Sequence, residues 1–337
     1  MANSEKAGCG IAGLGFYLPA KKVPVLELAA RAGIPEFVAR FVGAETVREA
    51  EPAMLPTDMA IRAAAAALEN AGLGPEEIDL IIYCGAGLGD YILPPSAGRI
   101  QDGIKAKNAA CFDLGQGCGG MLTGLEVARG QLALGDGCET VLLVTGDKWS
   151  AFTEHHAADA VFFGDGGGAV IVRRGHQRLQ PLTGHQVARG EYHDLWGIRA
   201  GGLRHPASAA TVAANEHLYR CLDPQRARHE FKEIYLAVML ATVRETLEKA
   251  GLRSADIAYF SMVNANLKVQ ELLLEQLEIP LARSSAAYLR QYGHFGSQDI
   301  FFNLDLAIRD GRLQPGDLIV MLTTGIGFSW VCSLIRY

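Results

Sequence analysis

One cysteine stands in a context suited to covalent chemistry. The run AACFDLGQGCGGMLTGLEVA reads as a strand ending in Leu114, a glycine-rich turn, and a helix opening near Cys118. A thiol at a helix N-terminus lies among unpaired backbone N–H groups and the positive end of the helix dipole, which favours the nucleophilic thiolate. Gly117, Gly119 and Gly120 let a thioester carbonyl come close to the backbone. The competing reading of any cysteine is a small buried packing residue, and Cys9, Cys84, Cys111, Cys138, Cys221 and Cys332 read that way. Seven widely spaced cysteines without a C-x-x-C pair suggest neither a disulfide framework nor a zinc site. His294, flanked by glycine in Gly293-His-Phe-Gly296, is a candidate base, and Asp299 five residues on can accept from its other ring nitrogen. Together they make a Cys-His-Asp arrangement of the triad kind. Asp299 has a second reading as an acidic residue in a helix's first turn.

The elements that bring these residues together are legible as an internal repeat. LENAGLGPEEIDLI, Leu68 to Ile81, and LEKAGLRSADIAYF, Leu247 to Phe260, share six identities in fourteen at an offset of 179 residues. Each reads as helix, glycine cap (Gly72, Gly251) and strand. Leu125-Glu-Val-Ala128 and Leu304-Asp-Leu-Ala307 repeat the 179-residue offset, each in a helix before an apolar strand. Two such halves imply two similar α/β layers related by a pseudo-twofold axis. The offset lays the Cys118 loop over the segment from His294 to Asp299, so equivalent helix N-termini bring Cys118 and His294 together. The expected organisation is an N-terminal half over 1–173 with the nucleophile, a connecting insertion over 174–224 near the substrate entrance, and a C-terminal half over 225–337 with the histidine.

Composition excludes other classes. With 31 Lys plus Arg against 37 Asp plus Glu, a net charge of −6 and no basic run, the chain offers no footprint for nucleic acid. The N-terminus lacks a signal pattern and no stretch of 18 apolar residues occurs, so a cytoplasmic protein without membrane contact is expected. FGDGGGAVIV, from Phe163, lacks the Lys-Ser/Thr ending of a phosphate loop and reads as a tight turn with Asp165. His155 and His156 are adjacent, and on a helix they would point about 100° apart, which argues against a shared metal ion. No metal and no cofactor is expected. Trp196 and Tyr192, in the irregular connection, are candidates to line an acceptor site.

The chain resembles the thiolase-fold condensing enzymes, in particular ketoacyl-ACP synthase III, over nearly its whole length. The resemblance rests on GLGFYLP from Gly13, the Cys118 loop, FGDGGGAVIV, NANLKV from Asn264 and GIGFSW from Gly325. It implies an αβαβα sandwich, an acyl group carried on Cys118 from coenzyme A or an acyl carrier protein, an oxyanion hole of the Cys118 and Ile326 backbone N–H groups, and a homodimer. Each oxyanion donor is typically worth a factor of about 10² to 10³. Condensing members carry His-Gln-Ala-Asn where this chain has Val263-Asn264-Ala265-Asn266, and Gly-Asn-Thr-Ser where it has Gly293-His294-Phe295-Gly296. The enolate stabiliser needed for decarboxylative condensation is thereby lost, whereas a nucleophile, a base and an oxyanion hole remain. The chain therefore looks like the branch that acylates a hydroxyl or amine of a sugar, aminocyclitol or related natural-product scaffold. A condensing enzyme using malonyl-ACP is the alternative, with Asn264 or Asn266 supplying a hydrogen bond. A thioesterase-like editor and a non-catalytic partner subunit are further readings, the latter opposed by Cys118. By alignment, Phe37 and Arg40 fall near the family's adenine-binding positions, and Pro94 falls where a bulky residue plugs the acyl pocket across the dimer.

Overall fold

The computed structural model describes residues 8–155, 157–158 and 161–337. Nine strands form its two main sheets: β1 (Cys9–Tyr17), β2 (Leu80–Tyr83), β3 (Ala110–Asp113), β4 (Thr140–Lys148), β5 (Asp165–Arg174), β6 (Gln180–Ala188), β7 (Tyr259–Met262), β8 (Leu318–Gly325) and β9 (Ser329–Arg336). The first sheet has the order β1-β5-β4-β2-β3 and the second β6-β9-β8-β7. Both repeat one pattern, two antiparallel pairings followed by a parallel one. Parallel strands need crossover helices, which cover both faces. This explains the apolar β2 and the almost wholly buried β4.

Six helices matter for the site: α1 (Glu36–Val42), α2 (Pro56–Ala71), α3 (Gly120–Leu134), α4 (Lys232–Ala250), α5 (Leu267–Gln276) and α6 (Asp299–Arg309). Helices α3 and α6 form the central layer, where Leu122, Leu125 and Leu132 pack with Ile300, Phe301, Leu304 and residues of both sheets in one core. The alanine-rich face of α2 covers the outside of the first sheet, and α4 with α5 that of the second. The repeat is realised in detail: α2 and α4 end at Gly72 and Gly251, with φ of 65° and 67°, and a short 3₁₀ turn leads each into its strand.

Three expectations need correction. The connecting segment does not begin at 174, because β6 pairs with β9 as the edge of the second sheet. Its sequence QPLTGHQVA is mostly half-exposed, so it lacks the apolar run that marks a central strand. The glycines after Asp165 are not a turn but the start of β5, where a Cβ on Gly167 would lie 2.5 Å from the Met59 carbonyl oxygen of α2. Asp165 itself accepts from the backbone N–H groups of Ala50 and Ser150. His155 stands exposed in a turn, not on a helix, and His156 lies outside the described residues. Among the described residues no cluster of three metal-ligating side chains occurs, and no helix is long and apolar enough to cross a membrane.

Candidate active site

The two central helices start side by side. Cys118 sits in the single 3₁₀ turn Gly117–Gly119 that opens into α3, entered through Gly117 at φ +52°. His294 lies in the loop before α6 and Asp299 is that helix's first residue. The Cys118 Sγ is 3.1 Å from His294 Nε2 across 176 residues of sequence, and His294 Nδ1 is 2.5 Å from Asp299 Oδ2. Asp299, fully buried, also accepts the backbone N–H of Asn264 at 2.9 Å and of Phe295 at 3.0 Å. One carboxylate thus contacts the ring, the histidine loop and the Asn264 backbone, and it also stands as the acidic residue in the first turn of α6 without capping that helix's own N–H groups. With Nδ1 donating to Asp299, Nε2 is turned to the sulfur. Burial alone would depress the His294 pKa, but the Asp299 carboxylate and the Cys118 sulfur outweigh it and hold the ring well above the usual histidine range. The ring stands beside Phe163 and Trp149, with centroids 5.3 and 6.1 Å away.

The loop after β8 closes the other side. A Cβ on Gly325 would lie 2.2 Å from the Gln116 carbonyl oxygen, so only glycine lets this loop meet the cysteine loop. Thr323 Oγ1 donates to the Cys118 carbonyl at 2.9 Å, and Gln116 Nε2 to Ser329 Oγ at 2.7 Å. The Ile326 N lies 3.0 Å from where a Gly117 Cβ would stand, which sets the two expected oxyanion donors on adjoining loops. Cys118, His294 and Ile326 open into one cavity of about 1030 Å³, walled by Val263, Phe163, Trp196, Phe231, Tyr235, Thr324 and Phe328 among others.

The remaining predicted residues divide. Trp196 lines the cavity as expected, whereas Tyr192 is buried against Phe231 and does not. Asn266 lines it while its side-chain oxygen caps α5 by accepting from Lys268 and Val269 N–H. Asn264 turns the other way: it is buried and exchanges hydrogen bonds with Asn303 of α6, so it is not a cavity residue. Phe37 is 73% exposed on α1 and Arg40 pairs with Glu36. Neither lines the cavity, although their neighbours Gly33, Ile34, Pro35 and Val38 do. Pro94 is exposed in the loop before Ser96, away from the cavity of its own chain. Sequence reasoning missed Tyr235 and Thr324, because a tyrosine on an amphipathic helix and a threonine at a strand end carry no signal of their own. It also missed Asp147, a buried carboxylate at the end of β4 that accepts from the N–H groups of Ala86 and Gly87.

Layers, pseudo-symmetry and paired central helix N-termini define a thiolase-fold enzyme. Residues 112–188 and 247–337 match the family described as 3-oxoacyl-[acyl-carrier-protein (ACP)] synthase III and its C-terminal part. The chain is 31% identical to a beta-ketoacyl-[acyl-carrier-protein] synthase III of Caldanaerobacter subterraneus subsp. tengcongensis, over 99% of each chain. The crystal structure of 3-oxoacyl-[acyl-carrier-protein] synthase III from Aquifex aeolicus superposes with a TM-score of 0.82 at 28% identity, covering 98% of this chain and 100% of that one. The structure of ChlB3, named an acyltransferase, shares the fold at 23% identity and a TM-score of 0.82, covering 98% of this chain and 97% of that one. The chain belongs to the 3-oxoacyl-ACP synthase III family, a family of acyl-transferring enzymes.

Proposed function

We propose that this protein is an acyltransferase that carries its acyl group on Cys118 and delivers it to a hydroxyl or amine. The carrying observation is the Cys118–His294–Asp299 array, at 3.1 and 2.5 Å, beside a cavity wall that has Val263 at the position where condensing members carry a histidine. In the first step the Cys118 sulfur attacks the donor thioester carbonyl, the C–S bond breaks, and the departing thiolate takes the proton from His294. Acylation removes the negative sulfur that helps hold that proton, leaving a neutral ring fit to act as base. In the second step His294 Nε2 takes the acceptor's proton as its oxygen or nitrogen attacks. The tetrahedral intermediate then collapses to ester or amide, regenerating thiolate and imidazolium. The N–H groups of Cys118 and Ile326 hold the oxyanion in both steps.

The donor is an acyl-carrier-protein or coenzyme A thioester, supported by the family, and no further cofactor is needed. The acceptor is a small natural-product scaffold of sugar or aminocyclitol type. A homodimer is supported by the loop with Tyr91, Ile92 and Leu93, exposed by 76, 83 and 94%, an apolar surface suited to burial against a second copy.

The relatives' names favour a second reading, decarboxylative condensation with malonyl-ACP. Against it stand Val263 and the engagement of Asn264 with Asn303. Intact-protein mass spectrometry separates the two. After loading with acyl thioesters, the acyl mass on Cys118 is expected to disappear with alcohols or amines and to persist with malonyl-ACP. Release of carbon dioxide with a β-ketoacyl product would establish condensation instead, and discharge at the same rate without any acceptor would establish a hydrolase.

A further inference from the structure

The cavity wall is apolar over most of its surface, yet Tyr235 from α4 and Thr324 from the end of β8 meet on it hydroxyl to hydroxyl, at 3.1 Å. The tyrosine ring is wedged against Phe231, Phe328 and Trp330, which fixes where its hydroxyl stands. Both residues belong to the reaction's surroundings. Thr324 precedes Gly325-Ile326. Burial, against the opposing hydrogen bond with Thr324, pushes the Tyr235 phenol up to about 12, so it remains a neutral donor throughout the working range. A hydroxyl pair spends one proton and one lone pair on itself, leaving one O–H and further lone pairs for a third partner. A wholly hydrocarbon ligand filling the cavity would leave them stranded at a cost.

Tyr235 also shares a helical face with Arg228, Phe231 and Lys232, which line the same cavity, and Lys232 is exposed. The face therefore runs from solvent into the cavity onto which Cys118 opens. We infer that the Tyr235–Thr324 pair is a binding site for a second polar group of the acceptor, so that the acceptor is a polyhydroxylated molecule held at one group while another is presented to His294. This rests on the acyl-transfer reading, and it predicts that a monofunctional alcohol of similar size is a poor ligand. Sites built to hydrogen-bond a hydroxyl discriminate strongly against analogues lacking it.

The test reads binding without turnover. Methyl β-D-glucopyranoside and cyclohexanol are compared for protection of Cys118 from iodoacetamide, followed by intact mass. In the native protein the glucoside should protect at the lower concentration. Tyr235→Phe and Thr324→Val should each raise its half-protecting concentration about three- to tenfold, with cyclohexanol moving by less than about twofold and Thr324→Ser restoring the preference. Absence of glucoside protection, survival of the preference in both variants, or equal shifts for the two probes would overturn the assignment. Failure of the acyl-transfer reading shows separately, as an acyl-Cys118 that no alcohol or amine discharges.

Discussion

At the scale of residues, the proposed mechanism assigns the chemistry to three side chains whose roles separate by substitution. Cys118→Ala should abolish covalent loading by any acyl thioester, and a retained acyl mass would place the nucleophile elsewhere. His294→Ala should slow discharge of the acyl enzyme to an alcohol or amine by about two to four powers of ten with the fold kept, as quenched-flow mass spectrometry would read. Asp299→Asn should act in the same direction more weakly, since it preserves shape while removing the charge that holds the imidazole's proton. Asp147 makes a different prediction. Burial pushes its carboxyl from 3.8 up to about 6, against the opposing hydrogen bonds from Gly87 and Ala86. The folded protein thus binds a proton that the unfolded chain has already released between these values. Stability from this group is full below about pH 4 and is lost as pH rises through about 6, by about 3 kcal/mol. Asp147→Asn cannot titrate, so its stability relative to the native protein should rise between pH 4.5 and 7.5 in denaturant melts. A pH-independent difference would show that the carboxyl is not shifted.

Elements position these groups through close approaches that tolerate no side chain. The loop into α6 passes Gly296 at φ +125°, where a Cβ would lie 2.2 Å from Asp147 Oδ2 and 2.7 Å from Gln298 Oε1. Gly296→Ala must therefore shift the segment between His294 and Asp299, at a cost of about 2–4 kcal/mol. The expected result is a lowered melting temperature together with slowed acyl discharge, and an unchanged melting temperature would mean the loop relaxes freely. Ser297 Oγ donates to the Cys84 carbonyl at 2.7 Å, tying this loop to the end of β2 in the other half. The histidine is thus registered against the half that carries the cysteine, which a rigid pair of central helices requires.

The whole molecule is a duplicated unit whose equivalent helix starts converge, and the site exists only because both halves are present. In the second sheet the place of β3 is taken, among the described residues, by a single parallel bridge between Ser284 and Phe260 of β7, whereas β3 is a full strand with an exposed edge. Light scattering on the eluting protein is expected to give about twice 36.1 kDa. A monomer would remove the argument that Pro94 faces a partner's acyl pocket.

Much of this was legible in the residues. The glycine-cysteine turn, the 179-residue offset and the glycine caps are local chemistry, set by backbone preferences and periodicity, and they determined the fold class and the meeting of Cys118 with His294. Other features belong to tertiary structure alone. Asn264 looked like a substrate contact until Asn303 was seen to claim it. A polar edge strand carried no apolar signature, so β6 was read as connection. Tyr235 and Thr324 became a pair only when α4 packed on the second sheet, against β6 and β9. Direction across a core depends on packing between segments far apart in sequence, and no local pattern encodes which face of a side chain's surroundings will be hydrocarbon, partner or cavity.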